Sequence, residues 1–151
     1  MQKKWRNNMN PIVAFLTDKD DKAAYEYTKQ IAAASEFSSE YYQHFDDFVS
    51  LLGDSKSYIR TRAFILCCSQ ARWDSEGKIK KNLSIILALL HDPKPTVVRQ
   101  CLNSVKEIVV FRPELNGEIK RSLSEIDLSK YKDSMIPLIR KDIREVLELI
   151  D

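Results

Sequence analysis

Residues 77–86 read GKIKKNLSII, and residues 117–126 read GEIKRSLSEI. Gly, Ile, Lys, Leu, Ser and Ile are identical at matched positions, and Lys81 answers to Arg121, at an offset of 40. Just downstream, Asp92–Arg99 (DPKPTVVR) matches Asp133–Arg140 (DSMIPLIR) at an offset of 41. The phase then holds: Leu102 falls with Ile143, Val105 with Val146, Glu107 with Glu148 and Ile108 with Leu149. A shorter copy begins at Asp54 (DSKSYIR), and a weaker one near Asp18. A period near 40 made of two helices marks a stacked helical array. One hairpin cannot bury its apolar face alone, so its neighbours must cover it.

Outside these copies the apolar residues also recur with the helical period. Ala24, Tyr27, Thr28 and Ile31 share a face between about residues 20 and 35. Tyr41, Phe45, Phe48, Val49 and Leu52 do so from Ser39 to Leu52, and Ile59, Ala63, Leu66 and Cys67 mark a third helix. Ile79, Leu83, Ile86 and Leu90 mark a fourth, and Val98, Leu102, Val105 and Val109 a fifth. Ile119, Leu123 and Ile126 mark a sixth, and Ile139, Ile143, Val146, Leu147 and Ile150 the last. No alternating strand competes, so the fold class is all-α. Boundary residues agree. Gly53 closes the second helix, and Gly77 and Gly117 fall just before the fourth and sixth. Pro93, Pro95 and Pro113 fall between periodic segments, and Pro137 belongs in the first turn of a helix starting near Ser134. Linkers of about 3–6 residues predict antiparallel hairpins. The expected architecture is an α-α superhelix of about three to four hairpins in a single domain over residues 1–151. Met9 is a candidate initiator, with residues 1–8 then a poorly ordered extension, and residues 1–10 are expected to be flexible.

LLGDSKSYIRTRA and LLHDPKPTVVRQC resemble HEAT repeats, whose first helix carries an Asp, often a following Pro, a Val/Ile-Arg pair and a small residue. Asp54, Ile59, Arg60 and Ala63 match that pattern. Asp92, Pro93, Val98 and Arg99 match with one residue more of spacing, and Asp133, Ile139 and Arg140 match without the Pro. The resemblance covers roughly residues 18–150. It implies a HEAT/armadillo-like solenoid in which Asp54, Arg60, Asp92, Arg99, Asp133 and Arg140 form a ladder between neighbouring repeats. The tail KDSMIPLIRKDI, residues 132–143, resembles those of small bacterial HEAT-like proteins, some of them labelled as related to the SufB/SufD components of iron–sulfur assembly. Those components are β-helical, whereas this chain shows no β repeat and no cluster-ligand cysteine spacing.

Composition narrows the function class. The chain has 151 residues and 3 glycines, against about 10 in an average chain of this length. Phosphate-binding loops and tight β-turns need glycine's positive φ, so a phosphate-loop enzyme is disfavoured. The net charge of +2 forces neither a nucleic-acid nor a membrane reading. The charge is uneven, however. Residues 54–121 hold 13 Lys/Arg against 7 Asp/Glu, while residues 1–53 hold 6 against 8 and residues 122–151 hold 5 against 7. No stretch is long and apolar enough to be a signal sequence or a membrane span. Cys67, Cys68 and Cys101 are an odd number without CxxC spacing. Free buried thiols in a reducing cytoplasm, without zinc, are expected.

The candidates for chemistry reduce to structural roles. His44 and His91 have no partnered nucleophile motif, and His91 is expected to serve a helix C-terminus. Asp46 and Asp47 point about 100° apart on a helix and read as a solvated face. The DKDD run at 18–21 lacks the glycine and glutamate of a calcium loop. HEAT-like repeats also build alkylpurine DNA glycosylases, which use aromatic residues and an Asp in a concave basic groove. Trp73-Asp74 is a short match to that arrangement, and a plug at the hairpin turn is its structural reading. The remaining feature is basic. Lys80 and Lys120 are repeat-equivalent, as are Lys81 and Arg121, so with Lys78 they are expected to form a positive strip on the second helices, which in HEAT solenoids line the concave face. No catalytic, cofactor or metal site is assigned. The expected function is a non-enzymatic scaffold that binds a partner protein on its concave face. The alternative is a nucleic-acid-binding HEAT-like protein related to DNA alkylation repair.

Overall fold

The computed structural model describes residues 10–151, so the expected extension at 1–10 lies, apart from Asn10, outside the described residues. Those residues form helices and no strand. The helices are α1 (Pro11–Leu16), α2 (Asp21–Ala34), α3 (Phe45–Ser50), α4 (Ser57–Ser69) and α5 (Lys78–Lys81). They continue with α6 (Leu83–Leu87), α7 (Pro95–Ser104), α8 (Lys106–Phe111), α9 (Asn116–Ser124) and α10 (Ile136–Ile150). Short 3-10 turns join several of them.

Local chemistry sets many of the boundaries. Asn10 caps α1 by accepting from the Ile12 amide at 2.8 Å, with Pro11 at the first helical position, where no N–H is needed. Asp20 caps α2 through the Ala23 amide at 3.1 Å. At α5 the cap comes from further back. The Asp74 carboxylate accepts from the amides of Lys78 (2.8 Å) and Ile79 (3.0 Å). Gly77 makes the required bend with φ +66, the one positive φ among the described residues. Gly117 is different. It lies within the first turn of α9, so the two glycines that align in sequence do not share a conformation. Pro95 likewise opens α7 instead of preceding it. The helices expected over 39–52 and 79–90 are each broken, the first by a 3-10 turn at Glu40–His44 and the second at Asn82. Six-residue α1 carries too few apolar turns to stand out as periodic.

The long helices stack in chain order: α2 packs on α4, α4 on α7, and α7 on α10. Each also packs on the helical segment that precedes it. α4 therefore sits in the middle. Ile59, Thr61, Arg62, Phe64, Leu66 and Cys68 are all buried on it, covering nearly every side. At the end of the stack, α10 buries only a stripe around Ile139 and Val146. Leu16, Ile31, Phe45, Phe48, Phe64, Ile79, Ile86 and Leu102 join in one continuous core. Truncating a fully buried phenylalanine such as Phe64 to alanine would cost roughly 3–5 kcal/mol.

Candidate functional site

The stacking leaves a trough running along α4, walled by α2 on one side and α7 on the other. Three adjoining hollows of about 580, 530 and 350 Å³ make it up. Tyr25 and Gln100 line both the first and the second hollow. Ala32, Ile65, Asn103 and Ser104 line both the second and the third. The α4 face in the trough runs Ser57, Tyr58, Thr61, Arg62, Ile65, Cys68 and Ser69. These residues are three or four apart or adjacent, one face of the helix over about 18 Å of axis.

Charges in the trough are largely spent on one another. The Arg62 guanidinium is buried; it donates to the Leu16 carbonyl at 2.7 Å, pairs with the Asp21 carboxylate and lies 4.9 Å from the Tyr58 ring. Lys29 pairs with Glu26 at 2.9 Å and sits 5.1 Å from the Tyr25 ring. Arg99 grips Asp142 of α10 through Nε (2.6 Å) and Nη2 (3.3 Å), which holds its guanidinium above the usual value. At the far end Arg72 donates to the Glu36 carbonyl at 3.0 Å, lies 3.7 Å from Glu107 and stacks 4.4 Å from the Phe111 ring.

The five basic residues expected on the concave face do not line this trough. Lys78 is bound to Asp46 at 3.1 Å and lies over the Tyr42 ring, and Lys120 is bound to Asp151 at 3.0 Å. Lys80, Lys81 and Arg121 are exposed. The hollow is built by α2, α4 and α7, not by the segments that carry the lysines.

The expected ladder is placed unevenly. Arg60 reaches Asp92 through Nε and Nη2 of its guanidinium and donates from Nη1 to the Asp54 backbone carbonyl at 2.9 Å. The Asp54 side chain turns instead to the Lys56 amide. Arg99 passes over Asp133 and takes Asp142. Asp133 and Arg140 are exposed.

The other singled-out residues have structural partners. Trp73, part-buried against the core, donates from Nε1 to the Ser35 carbonyl at 2.6 Å. Asp74 caps α5 and accepts from the Tyr42 hydroxyl at 2.6 Å. Burial, with that hydrogen bond, pushes the Tyr42 phenol up to about 12. All three cysteines are buried, and burial raises each thiol above its ordinary value, away from nucleophilic use. His44 lies 3.4 Å from the Asn10 side chain and 3.7 Å from Asp47. His91 sits at a helix end, closing the 3-10 turn Ala88–His91, but its ring hydrogen bond goes elsewhere. Its Nε2 contacts the Ser122 hydroxyl at 2.9 Å, a pairing across 31 residues that no motif announces. Among the described residues, no three of the His, Cys, Asp and Glu side chains gather into a group that could hold a metal. No described helix is long and apolar enough to cross a membrane.

No family model matches the chain, and neither a curated protein nor a solved structure matches it significantly.

Proposed function

We propose that the chain is a HEAT-like superhelical scaffold that acts without catalysis, and that it binds a partner protein in the trough along α4. The observation that carries this reading is the trough itself. It is long, open and formed by three successive long helices of the stack. It is an extended surface of the kind a repeat array offers a partner, here on the motif-bearing first helices and not on the second helices expected to line the concave face. The HEAT-like part rests on the repeat phase and on the Arg60–Asp92 bridge between successive copies of the motif. The charge pattern favours protein over nucleic acid. A phosphate backbone is held by unpaired cations, whereas Arg62, Arg72 and Arg99 each face a carboxylate.

A quantitative pull-down from the native host tests the reading. Ala33 is exposed at the rim of the third hollow, and Ala33→Trp obstructs that end of the trough. The expected result is a stoichiometric protein partner that Ala33→Trp abolishes and Lys80→Glu leaves in place. A partner indifferent to Ala33→Trp would contradict the reading. So would retention of DNA or RNA that falls steeply with salt and is lost in Lys81→Glu with Arg121→Glu.

A further inference from the structure

On the α7 wall of the trough, Thr96, Gln100 and Asn103 stand four and three residues apart, so they form one line. All three are exposed, and among the described residues none of their side chains makes an intramolecular hydrogen bond. Tyr25 on the opposite wall and Tyr58 on the α4 floor are each 39 % exposed, with their hydroxyls likewise unengaged among the described residues. Their rings are backed by Lys29 and Arg62.

This lining discriminates between shapes of ligand. A bound helix has already satisfied its own backbone and needs an apolar groove. Here Ile65 is the large aliphatic side chain shared by two of the hollows, and the surroundings are small or polar. An extended segment arrives with its N–H and C=O groups unspent, and a side-chain amide can donate to one and accept from the other. Thr96 to Asn103 spans about 10 Å of helix axis, the length of about three residues of extended chain. Most of the trough's charges are paired internally, and the two without a charged partner among the described residues, Lys22 in the first hollow and Glu36 in the third, are of opposite sign. Its net electrostatic complement is therefore a segment with little charge of its own.

Resting on the scaffold reading above, we infer that the partner enters the trough as an extended, weakly charged peptide segment. Its main chain hydrogen-bonds to Gln100 and Asn103, and its side chains rest against Tyr25 and Tyr58.

A displayed library of random peptides of roughly 12 residues, about twice what the trough can hold extended, supplies the probe. It is panned against the full chain. The expected result is enrichment of peptides poor in charge, whose synthetic copies stay non-helical by circular dichroism when bound. Gln100→Ala with Asn103→Ala should weaken them by about tenfold, for two lost hydrogen bonds. Both positions are exposed on a helix, where alanine is well tolerated, and an unchanged melting temperature verifies that the variant is folded. Peptides that bind as helices, affinity that stays within about twofold in the double variant, or no enrichment at all would overturn the inference. A native partner lost with Ala33→Trp, none of whose segments binds as a peptide, would leave the scaffold reading standing and overturn this one.

Discussion

Arg60 holds Asp92 across 32 residues of sequence, with Nε to Oδ2 at 3.0 Å and Nη2 to Oδ1 at 3.1 Å. The carboxylate is 5 % exposed and also accepts from the Lys94 amide at 3.0 Å, while the Asp92 carbonyl accepts from the Tyr131 hydroxyl at 2.6 Å. One aspartate thus ties the turn before α7 to the helix behind it and to the chain ahead.

Removing the fork leaves that carboxylate buried without its cation. Arg60→Ala should cost about 3 kcal/mol, read as a lowered urea midpoint with an unchanged slope. Arg60→Lys should recover less than half of the loss, because an ammonium cannot reproduce the bidentate geometry. A lysine variant as stable as the parent would show that charge alone suffices.

Arg62 fastens the first two helices to α4 through the Leu16 carbonyl and Asp21. Arg62→Met keeps the buried volume and removes those bonds. A loss of about 1–3 kcal/mol is expected, with hydrogen exchange rising first in α1 and α2. Unchanged protection of those helices would refute the role given to Arg62.

His91 gives the fold a dependence on pH. Desolvation, reinforced by Lys130 and partly offset by Glu125, lowers its pKa in the folded state. The unfolded chain then binds the proton more readily. The histidine's contribution is complete above the unfolded value of about 6.5 and is lost as pH falls through the lower folded value. Stability should therefore drop on mild acidification below about pH 6.5, and His91→Gln should flatten that part of the profile. An equally steep profile in the variant would assign the dependence elsewhere.

Burial raises the three thiols. A thiol-reactive disulfide reagent at mildly alkaline pH should label none of them in the native protein and all three in denaturant. Rapid native labelling of Cys68, which lies under the third hollow, would mean that α4 opens there.

The fold class was legible because helices such as α7 and α10 bury one stripe, and a stripe shows as a period. The position of the trough was not, for the same physical reason. α4 is covered on nearly every side, so its apolar residues carry no preferred direction that could show which face meets the hollow. Arg62 illustrates the limit. It reads as an exposed charge, and only the Leu16 carbonyl and the Asp21 carboxylate, 46 and 41 residues earlier, make its burial tolerable. The ladder divides similarly. Arg60 and Asp92 meet because their copies stack in register, whereas Arg99 finds Asp142 already on the facing helix and leaves Asp133 exposed in the preceding turn. α1 had a usable signal in Asn10-Pro11, a helix cap followed by the residue suited to the first helical position.

The most direct test of the scaffold reading is site-specific photo-cross-linking in the native host. A photoreactive residue is placed at Ser104, in the trough, and separately at Arg121, outside it. The expected result is a discrete adduct with one protein from position 104, competed away in Ala33→Trp, and none from position 121. Adducts from position 121 alone would contradict it and move the binding surface to the lysine-bearing segments.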